Sequence, residues 1–131
     1  MAGAEEVELV GFGYNDPNRP VGFGTKRQVT APILKLPTDT DLGSLPTTLG
    51  FHPEYEMVAG RKALGKDTCN GDSGGPAYIR QAGAFVVAGL TSRATLSATV
   101  NCGDGGIYVR SSAFRDWING VLAESGLPPL P

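Results

Sequence analysis

At 131 residues the chain is long enough for one domain with a single core. Apolar residues make up 40% of it and charged residues 18%, and no unbroken apolar run approaches the roughly 18 residues that a membrane-spanning helix requires. The formal net charge of -2, with Lys26-Arg27 and Arg61-Lys62 as the only adjacent basic pairs, leaves no basic surplus for a phosphate backbone and argues against nucleic acid as a partner.

Nineteen glycines and 10 prolines are too many for a helical bundle and fit short strands joined by tight turns, so the composition reads all-β. Residues 1–6 carry neither a basic nor an extended apolar stretch, and the chain as it stands is not expected to direct its own export. Residues 7–11 form a first apolar stretch closed by Gly11-Phe12-Gly13, and 14–24 form a loop rich in Asn, Asp, Pro and Gly. A second strand is expected over 28–36, with Pro32 marking an edge or a bulge. A polar stretch with a possible short helix follows over 37–53, then a third strand over 55–60. The runs 77–80 and 84–91 flank Gln81-Ala82-Gly83 as a hairpin, and 106–110 is the last strand. The helix signal is terminal: Ser111 or Ser112 can cap it, and Phe114, Trp117, Ile118, Val121 and Leu122 recur at offsets of three and four before Gly126 and Pro128 end it. Its apolar stripe is expected to dock on the strands. Residues 1–126 thus make the domain, and 127–131, Leu-Pro-Pro-Leu-Pro, a flexible tail.

The two cysteines, Cys69 and Cys102, have neither Cys-x-x-Cys spacing nor the histidine company of a zinc site, which leaves a disulfide or two buried thiols and no metal. Chemistry concentrates in Gly71-Asp72-Ser73-Gly74-Gly75-Pro76. Small neighbours around a serine let a turn aim its N–H groups inward and let a substrate approach closely, as an oxyanion hole requires, although a plain Gly-rich turn has the same composition. The word also matches the nucleophile elbow of α/β-hydrolases, which needs a helix directly after the serine and then an acid and a histidine. Here Pro76 and Ala77-Tyr78-Ile79 follow, and no histidine lies beyond residue 52, so that elbow fails. His52, the one histidine, stands in a Phe51-His52-Pro53 turn and reads as a loop residue, not as a general base. Glu5-Glu6 and Lys26-Arg27 read as solvated faces.

The longer run Asp67-Thr68-Cys69-Asn70-Gly71-Asp72-Ser73-Gly74-Gly75-Pro76 resembles the nucleophile loop of the trypsin/chymotrypsin serine proteases. The flanks keep the family's order: Gly11-Phe12-Gly13 resembles the Gly-Trp-Gly turn of the second barrel, and Met57-Val58-Ala59-Gly60 the strand before the specificity loop. Gly89-Leu90-Thr91-Ser92 is similar to the strand that pairs with substrate, Gly106-Ile107-Tyr108-Val109 to the strand lining the pocket, and Trp117-Ile118 to the end-helix signature. The resemblance runs from Val7 to Leu122 and implies a six-stranded antiparallel Greek-key barrel with a C-terminal helix, the second, C-terminal barrel of the chymotrypsin-like fold.

The same resemblance implies the roles. Ser73 is the nucleophile, and the N–H groups of Gly71 and Ser73 form the oxyanion hole. Asp72 is similar to the acid that pairs with an α-amino group released by activation, and Cys69 and Cys102 match the disulfide that ties the nucleophile loop to the pocket. The positions of a further family bridge hold Val7 and Ile79, an apolar pair able to pack instead. Asp67 stands where an acid selects Arg or Lys, and Ser92, Ala94 and Gly106 stand at the pocket wall. Arg93 replaces the usual tryptophan, Ala94 a usual glycine, and 95–101 is longer than the usual connection. The catalytic histidine and aspartate are expected from an absent N-terminal barrel or a second chain. The expectation is a secreted serine endopeptidase without metal or organic cofactor, acting on protein or peptide substrates, with neither nucleic acid nor membrane as partner. Taken alone, the chain is expected to be nearly silent, with Asp72 turned to solvent and an interbarrel face open to self-association. A non-catalytic barrel that binds a peptide or protein is the alternative.

Overall fold

The computed structural model describes residues 4–35 and 42–131. Strand β1 (Glu6–Gly11) alternates, with Val7 and Leu9 buried and Glu6 and Glu8 on the other face. It pairs with β2 (Arg27–Pro32) in a register that sets Val7 opposite Ala31 and Leu9 opposite Val29. The five-residue helix α1 (Leu45–Leu49) has a proline in its first turn and ends at Gly50, whose φ of 76° suits a left-handed cap. Strand β3 (Glu56–Ala59) is buried at every residue, so it shows no alternation. Then come β4 (Pro76–Gln81), β5 (Ala84–Ala94) and β6 (Gly106–Arg110).

All pairings are antiparallel, and the six strands run in the order β2-β1-β4-β5-β6-β3. Placing β3 beside β6 makes strands β3 to β6 a Greek key. The sheet curls until its ends meet: Ile33 bridges Ala59, Leu34 N–H donates to the Val58 carbonyl at 2.8 Å, and Gly60 N–H donates to the Pro32 carbonyl at 2.8 Å. Pro32 lacks a donor and contributes only its acceptor here, which is why a proline is tolerated at this seam.

Val7, Leu9, Ala31, Met57, Ile79 and Tyr108 belong to one buried cluster, so the apolar pair Val7 and Ile79 does pack within a single core. Phe51, Val58 and Ile107 make a second cluster under α1. Cys69 and Cys102 are bonded, with Cα atoms 4.8 Å apart and a sequence separation of 33. In the chain-entropy view, closing a loop of that length contributes about 4 kcal/mol.

Three expectations need correction. The second strand ends at Pro32 rather than residue 36, with Leu36 outside the described residues, and β5 runs on to Ala94. The terminal helix begins as a 3-10 turn (Ser111–Phe114) before α2 (Arg115–Glu124), and neither serine caps it. Ser111 spends its hydroxyl on the Val87 carbonyl at 2.7 Å instead, which anchors the turn to β5. Lastly, the apolar stripe of α2 is not buried against the barrel. The 3-10 turn makes the main contact with a strand, no residue of α2 is fully buried, and Trp117 is 69% exposed. Ile118 and Leu122 are half-buried, while Phe114, Trp117 and Val121 are exposed. The last residues turn back along α2, where the Leu130 carbonyl accepts from Arg115 and its N–H donates to Asn119.

Candidate active site

The loop carrying Ser73 is pinned on both sides. Asp72 N–H closes a turn on the Cys69 carbonyl at 3.1 Å, and Gly75 N–H donates to the Asp72 carbonyl at 2.9 Å. Gly74 N–H and the Gly75 carbonyl then clasp Thr91 of β5, each at 2.9 Å. Between these bonds, the N–H groups of Gly71 and Ser73 donate to no acceptor among the described residues. Ser73 is exposed, and Gly71 has a φ of 94°, open to glycine and strained for any side chain. Two unspent donors two positions apart, on the loop that carries an exposed hydroxyl, are the raw material of an oxyanion site.

Asp72 does not turn to solvent, contrary to expectation. Its Oδ1 accepts the N–H of Gly13 at 2.8 Å and its Oδ2 the N–H of Cys69 at 2.8 Å. The socket is made of glycine: a Cβ on Gly11 would stand 1.9 Å from Asp72 Oδ1, and one on Gly13 would stand 2.7 Å from it. The backbone amides that satisfy the carboxylate lie within the chain, so the inward position needs no external cation.

Asp67 is half-buried on the loop before the disulfide. Its Oδ1 accepts from Gly103 N–H, and its Oδ2 from Gly105 N–H at 2.7 Å. Burial pushes its carboxyl above the ordinary aspartate range; the two amides pull it back down, and the nearby Asp104 charge adds to the rise. Beside it the Thr68 and Tyr108 hydroxyls share a hydrogen bond of 3.0 Å, and burial raises the Tyr108 phenol to about 12. A Cβ on Gly106 would lie 2.8 Å from the Tyr108 hydroxyl, so this wall accepts only glycine without rearrangement. Ala94 pairs with Gly106 in the β5–β6 register, and Ser92 sits at the bulge between Thr91 and Arg93. A cavity of about 230 Å³ lies behind the nucleophile loop, with Asp67, Asp72 and the disulfide in its wall but neither Ser73, Ser92, Ala94 nor Gly106.

The longer connection after β5 is held from inside. Buried Asp104 accepts from Ala63 N–H at 2.8 Å, Thr99 N–H at 2.9 Å and the Thr99 hydroxyl at 3.0 Å. Arg93 reaches Glu56 with both terminal nitrogens, at 2.7 and 3.0 Å, and the Gly50 carbonyl at 2.7 Å. The Arg93 hydrogen bond holds the Glu56 carboxyl below its usual range against the opposing effect of burial. His52 stacks on Tyr55 with ring centroids 5.1 Å apart, and its backbone N–H donates to Glu56 at 2.8 Å.

The Trypsin family model matches residues 6–118 of this chain. The chain belongs to the trypsin family. Relatives include the Drosophila melanogaster Spaetzle-processing enzyme, 43% identical over 112 residues that cover 77% of this chain and 28% of that protein. Human Serine protease 56 is 32% identical over 106 residues, covering 76% of this chain and 16% of that protein. The Drosophila Protein masquerade is 28% identical over 133 residues, covering 96% and 12% respectively. The chain therefore spans between 12 and 28% of the length of these relatives.

Within this trypsin-family framework, Asp67, Cys69, Gly71, Asp72 and Ser73 lie on one loop stapled to Cys102, while Ser92 and Ala94 lie on β5 and Gly106 on β6, outside the cavity that Asp67 and Asp72 line. Sequence reading saw Gly11-Phe12-Gly13 only as a turn and missed it as the Asp72 socket. It also missed Glu56 as the partner of Arg93 and Asp104 as the anchor of the long connection. A signal existed for Asp104, a lone carboxylate in the glycine-rich run Gly103-Asp104-Gly105-Gly106, since such a group must find partners when buried.

Proposed function

We propose that this chain supplies the nucleophile, oxyanion hole and specificity pocket of a secreted trypsin-like endopeptidase that cleaves after Arg or Lys. The pair of unspent N–H groups on Gly71 and Ser73, on a loop pinned to β5 and to the disulfide, carries this reading. Ser73 Oγ attacks the scissile carbonyl carbon while a histidine takes its proton; the carbonyl oxygen, now anionic, accepts from Gly71 and Ser73; the amine leaves with that proton. Water then releases the acyl group by the same steps. No metal or organic cofactor enters. In this reading the histidine and its aspartate come from an N-terminal barrel or a second chain, which would dock on the exposed part of the α2 stripe, Phe114, Trp117 and Val121. An α-amino group from that partner would enter the cavity whose wall includes Asp72.

Asp67 gives the specificity: a carboxylate half-removed from water favours a substrate cation that neutralises it. In the assembled protease, Asp67→Ser should depress cleavage after Arg and Lys far more than cleavage after Phe. Equal losses for both would remove Asp67 from the pocket. A second reading, a non-catalytic barrel that binds a peptide or protein, draws on one observation: the chain's single histidine is occupied in a stack on Tyr55.

A further inference from the structure

Arg110 ends β6 half-buried, and its side chain carries an unpaired charge. Its Nη2 donates to the carbonyl of Pro53 at 2.9 Å and to that of Glu54, while its Nε is buried with no hydrogen-bond partner. Among the described residues no carboxylate forms an ion pair with it. Both acceptors it holds are neutral backbone oxygens, so the guanidinium keeps a charge without a counter-ion and one unmet donor. Burying such a donor without an acceptor is costly, and native proteins rarely leave one so.

The same side chain stands in the wall of a second cavity, of about 210 Å³, where the seam residues Ile33 and Leu34 meet β3. Phe51, Pro53, Met57 and Val58 complete the apolar part of that wall. Glu56 also lines it, but its carboxylate is taken up by both terminal nitrogens of Arg93 and by the His52 amide. One cation is left unbalanced beside an apolar hollow. A lone water fits such a wall poorly, since a buried water needs about two to four polar partners and these side chains offer one open donor. No residue of the nucleophile loop, 67–76, lines the hollow, so it is separate from the site of Ser73.

We infer that this cavity is a binding site for a small monocarboxylate with an apolar body. The carboxylate accepts from the Arg110 Nε–H, and the hydrocarbon or aromatic part lies against Phe51, Met57 and Val58. One group then supplies both the missing acceptor and the missing counter-charge, while the body covers apolar wall. Phosphate has no use for that wall, and a neutral ring leaves the guanidinium unbalanced.

Benzoate, benzyl alcohol and inorganic phosphate are the probes, titrated into the isotopically labelled chain with amide and methyl shifts recorded. Benzoate should bind with a Kd of about 1 mM or below and should shift Phe51, Met57, Val58 and Arg110. Benzyl alcohol, similar in size but uncharged, should bind about 10- to 100-fold more weakly, the usual effect of one charge-assisted hydrogen bond. Phosphate should leave the Met57 and Val58 methyls unmoved. Arg110→Lys keeps the charge but removes the Nε–H, and it should weaken benzoate by about 10-fold. Comparing benzoate with the alcohol needs no variant, so that arm decides even where Arg110→Lys fails to fold. Equal affinity for the two, benzoate shifts confined to other residues, phosphate moving the same methyls, or undiminished binding in a folded Arg110→Lys overturns the inference. Absence of benzoate binding also overturns it, and leaves the cavity to solvent.

Discussion

The Asp72 carboxylate meets the Gly13 amide at 2.8 Å across 59 positions of sequence, and no side chain other than hydrogen at residue 11 or 13 leaves it room. The nucleophile loop is thereby set by the first strand's turn. Gly11→Ala should destabilise the fold by about 1–3 kcal/mol, the usual effect of forcing a methyl into a packed site. Asp72→Ala should cost a similar amount, about 1–3 kcal/mol, because it orphans the amides of Gly13 and Cys69. Denaturant unfolding of each variant would check this, and a loss under roughly 0.5 kcal/mol in both would mean that the socket is not built as described.

In the proposed pocket, Asp67 should make binding of a cation pH-dependent. Its folded carboxyl lies above the ordinary aspartate range because of burial. Its contribution to stability is therefore present below the unfolded value and lost as pH rises through the folded value, where an unpaired charge is left half-buried. A bound cation reverses that loss. Benzamidine affinity should fall as pH drops through the Asp67 transition, at a higher pH than an ordinary aspartate would give, and Asp67→Asn should flatten the profile. A flat profile in the unmodified chain would contradict the account.

Glu56 shows the opposite sign. Its carboxyl is held below the usual range by Arg93, so its contribution is present above the unfolded value and lost as pH falls through the folded one. Arg93→Met should destabilise by on the order of 2 kcal/mol, between the values for exposed and fully buried pairs, since Arg93 is partly exposed and Glu56 buried. The double variant Glu56→Met with Arg93→Met should recover most of that loss. A double variant no more stable than Arg93→Met would show that the pair itself is not what Arg93 contributes.

Much of this was legible because strand periodicity and turn chemistry are local. The strand at residues 7–11, the hairpin at Gln81-Ala82-Gly83 and the terminal helix all appear in the structure. What the sequence did not show was set by partners distant in the chain. Asp72 faces inward because of amides at Gly13 and Cys69, and no residue of α2 is fully buried, the preceding turn making the main contact with a strand. Periodicity identifies an apolar face but not what covers it.

Ala82 and Ala63 adopt φ of 49° and 61°, where alanine is strained. Ala82 is the first of two turn residues between the paired Gln81 and Ala84, a position that glycine or asparagine suits. Ala82→Gly and Ala63→Gly should each raise stability by about 0.5–1 kcal/mol, relief of strain outweighing the added unfolded-state freedom. Thermal unfolding would read this as a gain of a few degrees; a drop in either would contradict the assigned turn.

The central claim is that Ser73 sits in a formed oxyanion site and lacks only a general base. Incubating the chain with an active-site-directed fluorophosphonate, alone and with the family's histidine-bearing N-terminal barrel in excess, tests it most directly. A serine hydroxyl without a positioned histidine is a weak nucleophile, so the account predicts almost no labelling alone and labelling of Ser73 once the barrel is added, abolished by Ser73→Ala. Efficient labelling of Ser73 in the chain alone would contradict it, and so would no labelling in a complex shown to have formed.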